Sequence, residues 1–104
     1  GWDDKLWWVH SEALYTTLLC YFRGGGTDFL DWHDRIFDYT FRTFPNTDPS
    51  VREWIQIRRR DGAPQEKTVA LPVKDPYHIT RNLILLLELL SPVCKPFLGT
   101  PAPR

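Results

Sequence analysis

Residues 73–90, V-K-D-P-Y-H-I-T-R-N-L-I-L-L-L-E-L-L, constrain the fold more than any other segment of this 104-residue sequence. The second half of the segment is almost entirely aliphatic, so it must be buried against other apolar side chains. The first half contains Asp75-Pro76, and a capping Asp followed by Pro at the first helical position is typical of a helix start. We therefore predict a closing helix with a polar beginning and an apolar remainder.

Three polar residues follow the Asp-Pro pair. His78, Arg81 and Asn82 are spaced i, i+3 and i+4, so a helix places them on one face. Arg81 also brings a positive charge into the first turns, where the helix dipole disfavours it. We therefore expect an anion beside Arg81, either the carboxylate of Asp75 or a bound ligand.

The balanced overall charge gives no support for general electrostatic binding to nucleic acid or to a membrane. The sequence has 13 basic and 13 acidic residues, so no global field directs the chain to nucleic acid or to a membrane. The longest aliphatic run, residues 83–87, is too short to span a bilayer, and no signal-peptide pattern is found. Two cysteines are too few for a disulfide scaffold and have no zinc spacing with the histidines. We expect one intracellular module, residues 1–104, with no choice between nucleus, cytoplasm and mitochondrion.

Two further helices are predicted before the closing one. The first extends from about Asp3 to Arg23, with two aspartates in its first turn, and the glycines at 24–26 end it. The second begins near Thr27 and continues to about Asp38, while residues 39–44 fit a helix or a strand. Aspartates at 28, 31 and 34 could bind a divalent metal, but the interleaved basic residues favour a solvated face.

The middle of the chain has a strand pattern. Side chains alternate in residues 51–60, residues 61–64 form a turn, and residues 68–71 can return as the partner strand. Residues 91–104 are rich in proline and predict an irregular tail. The predicted fold class is α+β, mainly helical with a small antiparallel hairpin, with the closing helix packed on the N-terminal helix. The predicted core consists of Leu14, Leu18, Phe22, Trp32, Ile36, Ile55, Ile57, Leu83, Leu86 and Leu90.

Arg58, Arg59 and Arg60 form a basic run. A solvated strand end is the commoner explanation of such a run, and contact with RNA or phosphate is the more specific one. A small DNA-binding hairpin is a further alternative that rests on these arginines alone. The sequence has no nucleophile elbow, Walker loop, zinc spacing or recognisable Cys/His pair. The residues themselves thus indicate a binding or supporting piece rather than a self-sufficient enzyme.

The order of several short motifs resembles the poly(A)-polymerase-associated domain of the noncanonical poly(A) polymerases and terminal uridylyltransferases. The motifs are a helix ending in L-L-C-Y-F-R, a glycine-rich turn, Asp28-Phe29 followed by Asp31-Trp32, I-Q-I-R-R-R ending in D-G, and V-K-D-P-Y-H-I-T-R-N-L. Together they cover nearly all of residues 12–90. The resemblance implies a nucleotide-recognition or supporting module of a terminal RNA nucleotidyltransferase, inactive by itself.

The residue roles that this resemblance implies fall mainly on the closing helix. Asp75, His78, Arg81 and Asn82 would recognise the nucleotide base. His78 and Arg81 depart from the residues usual in that family, so UTP and ATP are not distinguished. Arg58 to Arg60 would lie near RNA or the triphosphate. The catalytic carboxylates of the family have no match here, so its Mg²⁺ ions are expected in a missing catalytic domain.

A noncatalytic RNA-associated scaffold or protein–protein interaction module is the alternative function. Its support is the zero net charge, the substituted base-reading positions and the aliphatic surplus of residues 83–90. The missing catalytic domain or a protein partner would cover the surface from Leu83 to Leu90, and no membrane contact is expected.

Overall fold

The structure, a computed structural model, describes residues 2–67 and 76–98, with side chains described as far as Pro92. Its elements are β1 (Lys5–Leu6), α1 (Trp7–Phe22), α2 (Thr27–Thr43), β2 (Ile57–Arg58) and α3 (Tyr77–Leu98). Both α2 and α3 pack against α1, which is therefore the central element. The predicted fold class is confirmed: the chain is mainly helical with a small antiparallel sheet, and the closing helix packs on the N-terminal helix.

Helix α1 buries one stripe of side chains. Trp7, Ser11, Leu14 and Leu18 are its buried residues, and their spacing of three and four residues places them on one face. The predicted core positions Leu14 and Leu18 are therefore confirmed. The prediction is wrong for Phe22, which is 41% exposed because it is the last residue of the helix, beyond the buried stripe.

The first helix begins later than the sequence predicts because the residues before it form a strand. Strand β1 pairs with β2 in an antiparallel register, and the Trp7 amide donates a hydrogen bond to the Gln56 carbonyl oxygen over 3.0 Å. The two aspartates predicted for the first turn therefore precede the helix. They pair instead with distant cations, Asp3 with Arg60 at 3.3 Å and Asp4 with Lys67 at 2.9 Å.

Glycines separate α1 from α2, as the sequence predicts. Gly24 has a φ of 87°, in the left-handed region that favours glycine, and its amide donates to the Tyr21 carbonyl oxygen over 3.0 Å. Helix α2 then continues to Thr43, beyond the predicted end near Asp38. Most of the segment that fitted either a helix or a strand is therefore helical.

Helix α2 turns a different face to the core than the aromatic pattern predicts. Trp32, a predicted core residue, is 56% exposed, whereas Thr40 is completely buried and Ile36 is half-buried. The inward face also carries His33, whose Nδ1 lies 2.9 Å from the Leu14 carbonyl oxygen. The prediction fails for Trp32 because polar side chains occupy part of the buried face, which hydrophobic periodicity does not detect.

The small sheet joins distant parts of the chain. Within the predicted strand 51–60, the structure assigns only residues 57–58 to a strand, and their partner is β1. The turn at 61–64 is confirmed: Gly62 has a φ of 89°, and Pro64 forms a bridge beside Arg58. Alternation implies that one side of a strand faces solvent, but Ile57 and Arg58 are both buried. Residues 68–71, the predicted partner strand, lie outside the described residues.

Helix α3 continues through Pro92 to Leu98, whereas the sequence predicts an irregular tail from residue 91. The helix contains two prolines, Pro92 and Pro96, and each lacks the backbone N–H that would donate a hydrogen bond inside a helix. Asp75, the predicted cap, and residues 99–104 lie outside the described part of the chain. None of the helices in the described residues is both long and apolar enough to cross a membrane.

The remaining core predictions are confirmed in part. Ile57 is buried, and four others are half-buried, namely Ile36, Ile55, Leu86 and Leu90. The prediction is wrong for Leu83, which is exposed. Phe44, absent from the predicted core, is completely buried, and its carbonyl oxygen accepts a hydrogen bond from the Ile55 amide over 2.7 Å. The segment after α2 is thereby held against the core.

Candidate active site

A polar cluster lies between α1 and the beginning of α3. Nδ1 of His78 is 2.9 Å from Oε1 of Glu12, and a guanidinium nitrogen of Arg81 is 3.5 Å from Oε2 of the same carboxylate. Helix α1 therefore supplies the acid, while α3 supplies the imidazole and the guanidinium. An anion is therefore present beside Arg81, as the sequence predicts: it is the Glu12 carboxylate. Asp75, the candidate named from the sequence, lies outside the described residues.

Glu12 determines which nitrogen of His78 carries a proton. An ionised carboxylate can only accept hydrogen bonds, so we assign Nδ1 as the donor. Nε2 then holds a lone pair in the neutral imidazole and a proton in the charged one. No protein group bonds to Nε2 within the described residues, and the His78 side chain is 28% exposed. General acid–base sites use the same arrangement, in which a carboxylate orients an imidazole.

Asn82 forms the buried side of the same cluster. This residue is completely buried. Its amide nitrogen donates to Oγ of Ser11 over 3.1 Å, and its amide oxygen accepts from Arg81 over 2.8 Å. Ser11 donates in turn to the Trp8 carbonyl oxygen over 2.8 Å. Both ends of the buried amide therefore have a partner, as burial of a polar group requires.

Aromatic rings frame His78. The rings of Trp8 and Tyr77 lie 5.0 Å and 5.2 Å from the imidazole, and Trp7 packs edge-on at 6.5 Å. Trp7 is buried, whereas Trp8 and Tyr77 are exposed. The Arg81 guanidinium lies 5.8 Å from the centre of the Tyr77 ring. Exposed aromatic faces beside a few charged groups suit a ligand that has both apolar faces and hydroxyl groups.

The surroundings of Glu12 keep its carboxylate ionised. The hydrogen bond from His78 is the main cause that holds the pKa of Glu12 below its usual value of 4.5, and the Asn82 amide and the Arg81 charge act in the same direction. Partial burial opposes them and is outweighed. At neutral pH the carboxylate is therefore an acceptor that orients His78.

The sequence correctly places His78, Arg81 and Asn82 together, but it does not find their partners on α1. The bonds from His78 to Glu12 and from Asn82 to Ser11 join residues 66 and 71 positions apart. The available signal was the polar triplet H-S-E at positions 10–12, inside a mainly apolar helix. Asn82 was expected to face a ligand, yet burial and two hydrogen bonds keep its amide inside the protein.

The arginine run does not form one cationic patch. Arg58 is buried and donates to the Gly62 carbonyl oxygen over 2.6 Å. Arg59 and Arg60 are exposed, and they lie 4.0 Å from Asp61 and 3.3 Å from Asp3. Of the three residues predicted to contact RNA or phosphate, only Arg59 and Arg60 are therefore at the surface.

A metal site is not formed by the part of the chain that the structure describes. In residues 2–67 and 76–98, no group of three or more His, Cys, Asp or Glu side chains could hold a metal ion. The aspartates at 28, 31 and 34 are all exposed on α2, so each carboxylate is accessible to water.

Comparison with known proteins assigns the family. A model of the N-acylglucosamine 2-epimerase family matches residues 2–82, which include the whole cluster. The human N-acylglucosamine 2-epimerase is 34% identical over 102 residues, which are 98% of this chain and 22% of the human protein. The bovine enzyme is 34% identical over 90 residues, 86% of this chain and 21% of its own length.

A solved structure agrees with this match. The cellobiose 2-epimerase from Bacillus thermoamylovorans superposes with a TM-score of 0.71 at 29% identity, over 82% of this chain and 22% of that one. The fold is thus shared with a sugar epimerase. The chain belongs to the N-acylglucosamine 2-epimerase family, and it spans about a fifth of the length of the curated relatives it matches.

Family membership overturns the resemblance to the poly(A)-polymerase-associated domain. The predicted nucleotidyltransferase function, the RNA and nucleoside triphosphate partners and the RNA scaffold alternative are therefore wrong. The short motifs misled because they carry little specificity: the strand read from I-Q-I-R-R-R is limited to Ile57–Arg58. The expectation of Mg²⁺ and the base-reading roles of Asp75, His78, Arg81 and Asn82 followed from that resemblance and lose their support with it.

Proposed function

We propose that this chain supplies part of the active site of a sugar 2-epimerase, with His78 as a general acid–base group and Glu12 as the carboxylate that orients it. One observation carries the proposal beyond family membership: Nδ1 of His78 is held by Glu12 at 2.9 Å, which leaves Nε2 for proton transfer. The relatives are named as epimerases of N-acylglucosamine and of cellobiose. We therefore propose an aldose substrate.

The chemistry follows from the position of the carbon to be inverted. In the open-chain form of an aldose, C2 is adjacent to the C1 carbonyl, so loss of its proton gives an enolate with negative charge on the C1 oxygen; this enolate is an enediolate where C2 carries a hydroxyl, as in cellobiose. Neutral Nε2 of His78 accepts the C2 proton and becomes part of an imidazolium that Glu12 stabilises. Arg81 supplies a positive charge in the same cluster, which favours the developing oxyanion. Return of a proton to the opposite face of C2 completes the inversion.

The cluster provides one acid–base pair. The other two histidines bond to backbone oxygens, His10 to Leu6 at 2.8 Å and His33 to Leu14 at 2.9 Å, and neither is paired with a carboxylate within the described residues. Inversion therefore needs either a second acid–base group from elsewhere in the enzyme or rotation of the intermediate before it is reprotonated.

Proton exchange at C2 tests the proposal. The enzyme of which this chain supplies part is incubated with N-acetylglucosamine or with cellobiose in D₂O, and ¹H NMR follows the loss of the C2 proton signal and the appearance of the C2 epimer. We expect exchange with at least one sugar, and we expect His78→Asn to slow exchange by about 10²–10⁴-fold, the usual contribution of a general acid–base group.

His33→Asn is the matched control because His33 is also half-buried and hydrogen-bonded but lies outside the cluster. Its exchange rate should remain close to that of the wild type. Absence of exchange with both sugars, or equal rates for the His78 and His33 variants, would refute the assignment.

A further inference from the structure

We propose that Asn82 is a positioning residue that fixes the geometry of the Glu12–His78 pair and, through that pair, the protonated nitrogen of His78. This inference rests on the proposed function for its catalytic consequence, but its structural content can be measured separately. Asn82 does not contact a substrate in this role because its side chain is completely buried.

The distances around Arg81 show which partner sets its position. Its guanidinium lies 2.8 Å from the Asn82 amide oxygen but 3.5 Å from the Glu12 carboxylate. A hydrogen bond weakens over this range of distances. The neutral amide therefore holds the guanidinium more closely than the carboxylate does. Asn82 thereby prevents Arg81 from forming a close ion pair with the Glu12 carboxylate, to which His78 is hydrogen-bonded.

The other end of the amide is anchored to α1. Asn82 donates to Oγ of Ser11 over 3.1 Å, and that hydroxyl donates to the Trp8 carbonyl oxygen over 2.8 Å. Ser11 directly precedes Glu12 in the same helix. The amide therefore links the α3 residue that bears the charge to the α1 turn that bears the carboxylate, and it fixes the two helices relative to each other at the site.

Removal of the amide should disturb His78 in a defined direction. Without its 2.8 Å partner, Arg81 gains most by moving onto the Glu12 carboxylate, since a two-pronged Arg–carboxylate pair is a strong interaction. The carboxylate then orients less strictly toward Nδ1 of His78. The neutral imidazole becomes a mixture of Nδ1–H and Nε2–H forms, and the second form has no lone pair on Nε2 with which to accept a proton.

The measurement is ¹⁵N NMR of the histidine side chains in the full chain, recorded in alkaline solution. We expect the wild type to show His78 with the proton on Nδ1, and Asn82→Leu, which keeps the branched shape of the side chain, to show a mixture of the two forms. Thr40→Val is the matched control because Thr40 is equally buried but lies on α2. It should leave the His78 signals unchanged.

Ser11→Ala keeps the proposal testable if Asn82→Leu does not fold. That substitution removes only the α1 anchor of the amide and should shift the His78 signals in the same direction by less. A single Nδ1–H form in every folded variant at these two positions would overturn the positioning role.

Kinetics give the second measurement. If the protein epimerises a sugar, Asn82→Leu should lower kcat by about 10–100-fold with little change in KM, because a displaced acid–base group slows the proton transfer rather than sugar binding. An unchanged kcat in the Asn82 variant would refute the catalytic consequence. If the wild type is inactive, the proposed function fails, while the NMR result still decides whether Asn82 positions His78.

Discussion

Glu12→Gln tests the cluster through the pH dependence of stability. The substitution keeps the shape of the side chain but removes the charge that His78 and Arg81 contact at 2.9 Å and 3.5 Å. Hydrogen bonds to charged groups contribute about 1.5–3 kcal/mol, whereas exposed ion pairs contribute about 0.2–1 kcal/mol. The Glu12 side chain is 32% exposed, and it accepts one short hydrogen bond, from His78. We therefore expect the free energy of unfolding to fall by about 1–2 kcal/mol at neutral pH.

The sign of the pH effect follows from the direction of the pKa shift. The pKa of Glu12 is lower in the folded protein than its usual value of 4.5, so the charge stabilises the fold above that value. The stabilisation is lost as the pH falls through the folded-state pKa. The difference between wild type and Glu12→Gln should therefore be largest near neutral pH and should shrink as the medium becomes acidic.

Urea denaturation at a series of pH values measures this difference. Asp38→Asn is the matched control, because Asp38 pairs with Arg42 at 2.9 Å but both side chains are mostly exposed. Its effect should be below about 0.5 kcal/mol, as for other exposed pairs one helical turn apart. Equal effects of the two substitutions, or an effect of Glu12→Gln that persists in acid, would contradict the reasoning.

Other substitutions test the packing. Thr40→Val should leave the unfolding free energy unchanged or raise it by up to about 1 kcal/mol, because the buried Thr40 hydroxyl has no partner in the described residues; a loss in thermal denaturation would contradict this. Gly25→Ala should lower the unfolding free energy by about 1–3 kcal/mol, since the new Cβ would lie 2.8 Å from the Cys20 carbonyl oxygen. An unchanged Tm would contradict this close approach of the turn to α1. Leu14→Ala should remove about 2–5 kcal/mol, while Leu87→Ala, at a 70% exposed position, should change little. Similar losses of unfolding free energy for both variants would contradict the assignment of Leu14 to the core.

The local pattern of the sequence predicts much of the fold. Helical spacing identifies Leu14 and Leu18 as core residues, the glycines at 24–26 separate two helices, and the Asp-Pro pair precedes the helix that begins at Tyr77. Because these features depend only on residues close together in the chain, they can be predicted from one sequence. The inward face of α2 was harder to predict because it carries two polar residues, the half-buried His33 and the buried Thr40.

Helical spacing is enough to place His78, Arg81 and Asn82 on one face and to predict an anion beside Arg81. The packed structure is needed to identify Glu12 as that anion, to show that Asn82 is buried against Ser11, and to show that the sheet pairs residues near 5 and 57. The physical reason is that helical periodicity acts over a few residues, whereas these contacts form between segments that meet only when α3 packs on α1. The chemistry of His78 therefore depends on a packing contact that local spacing does not encode.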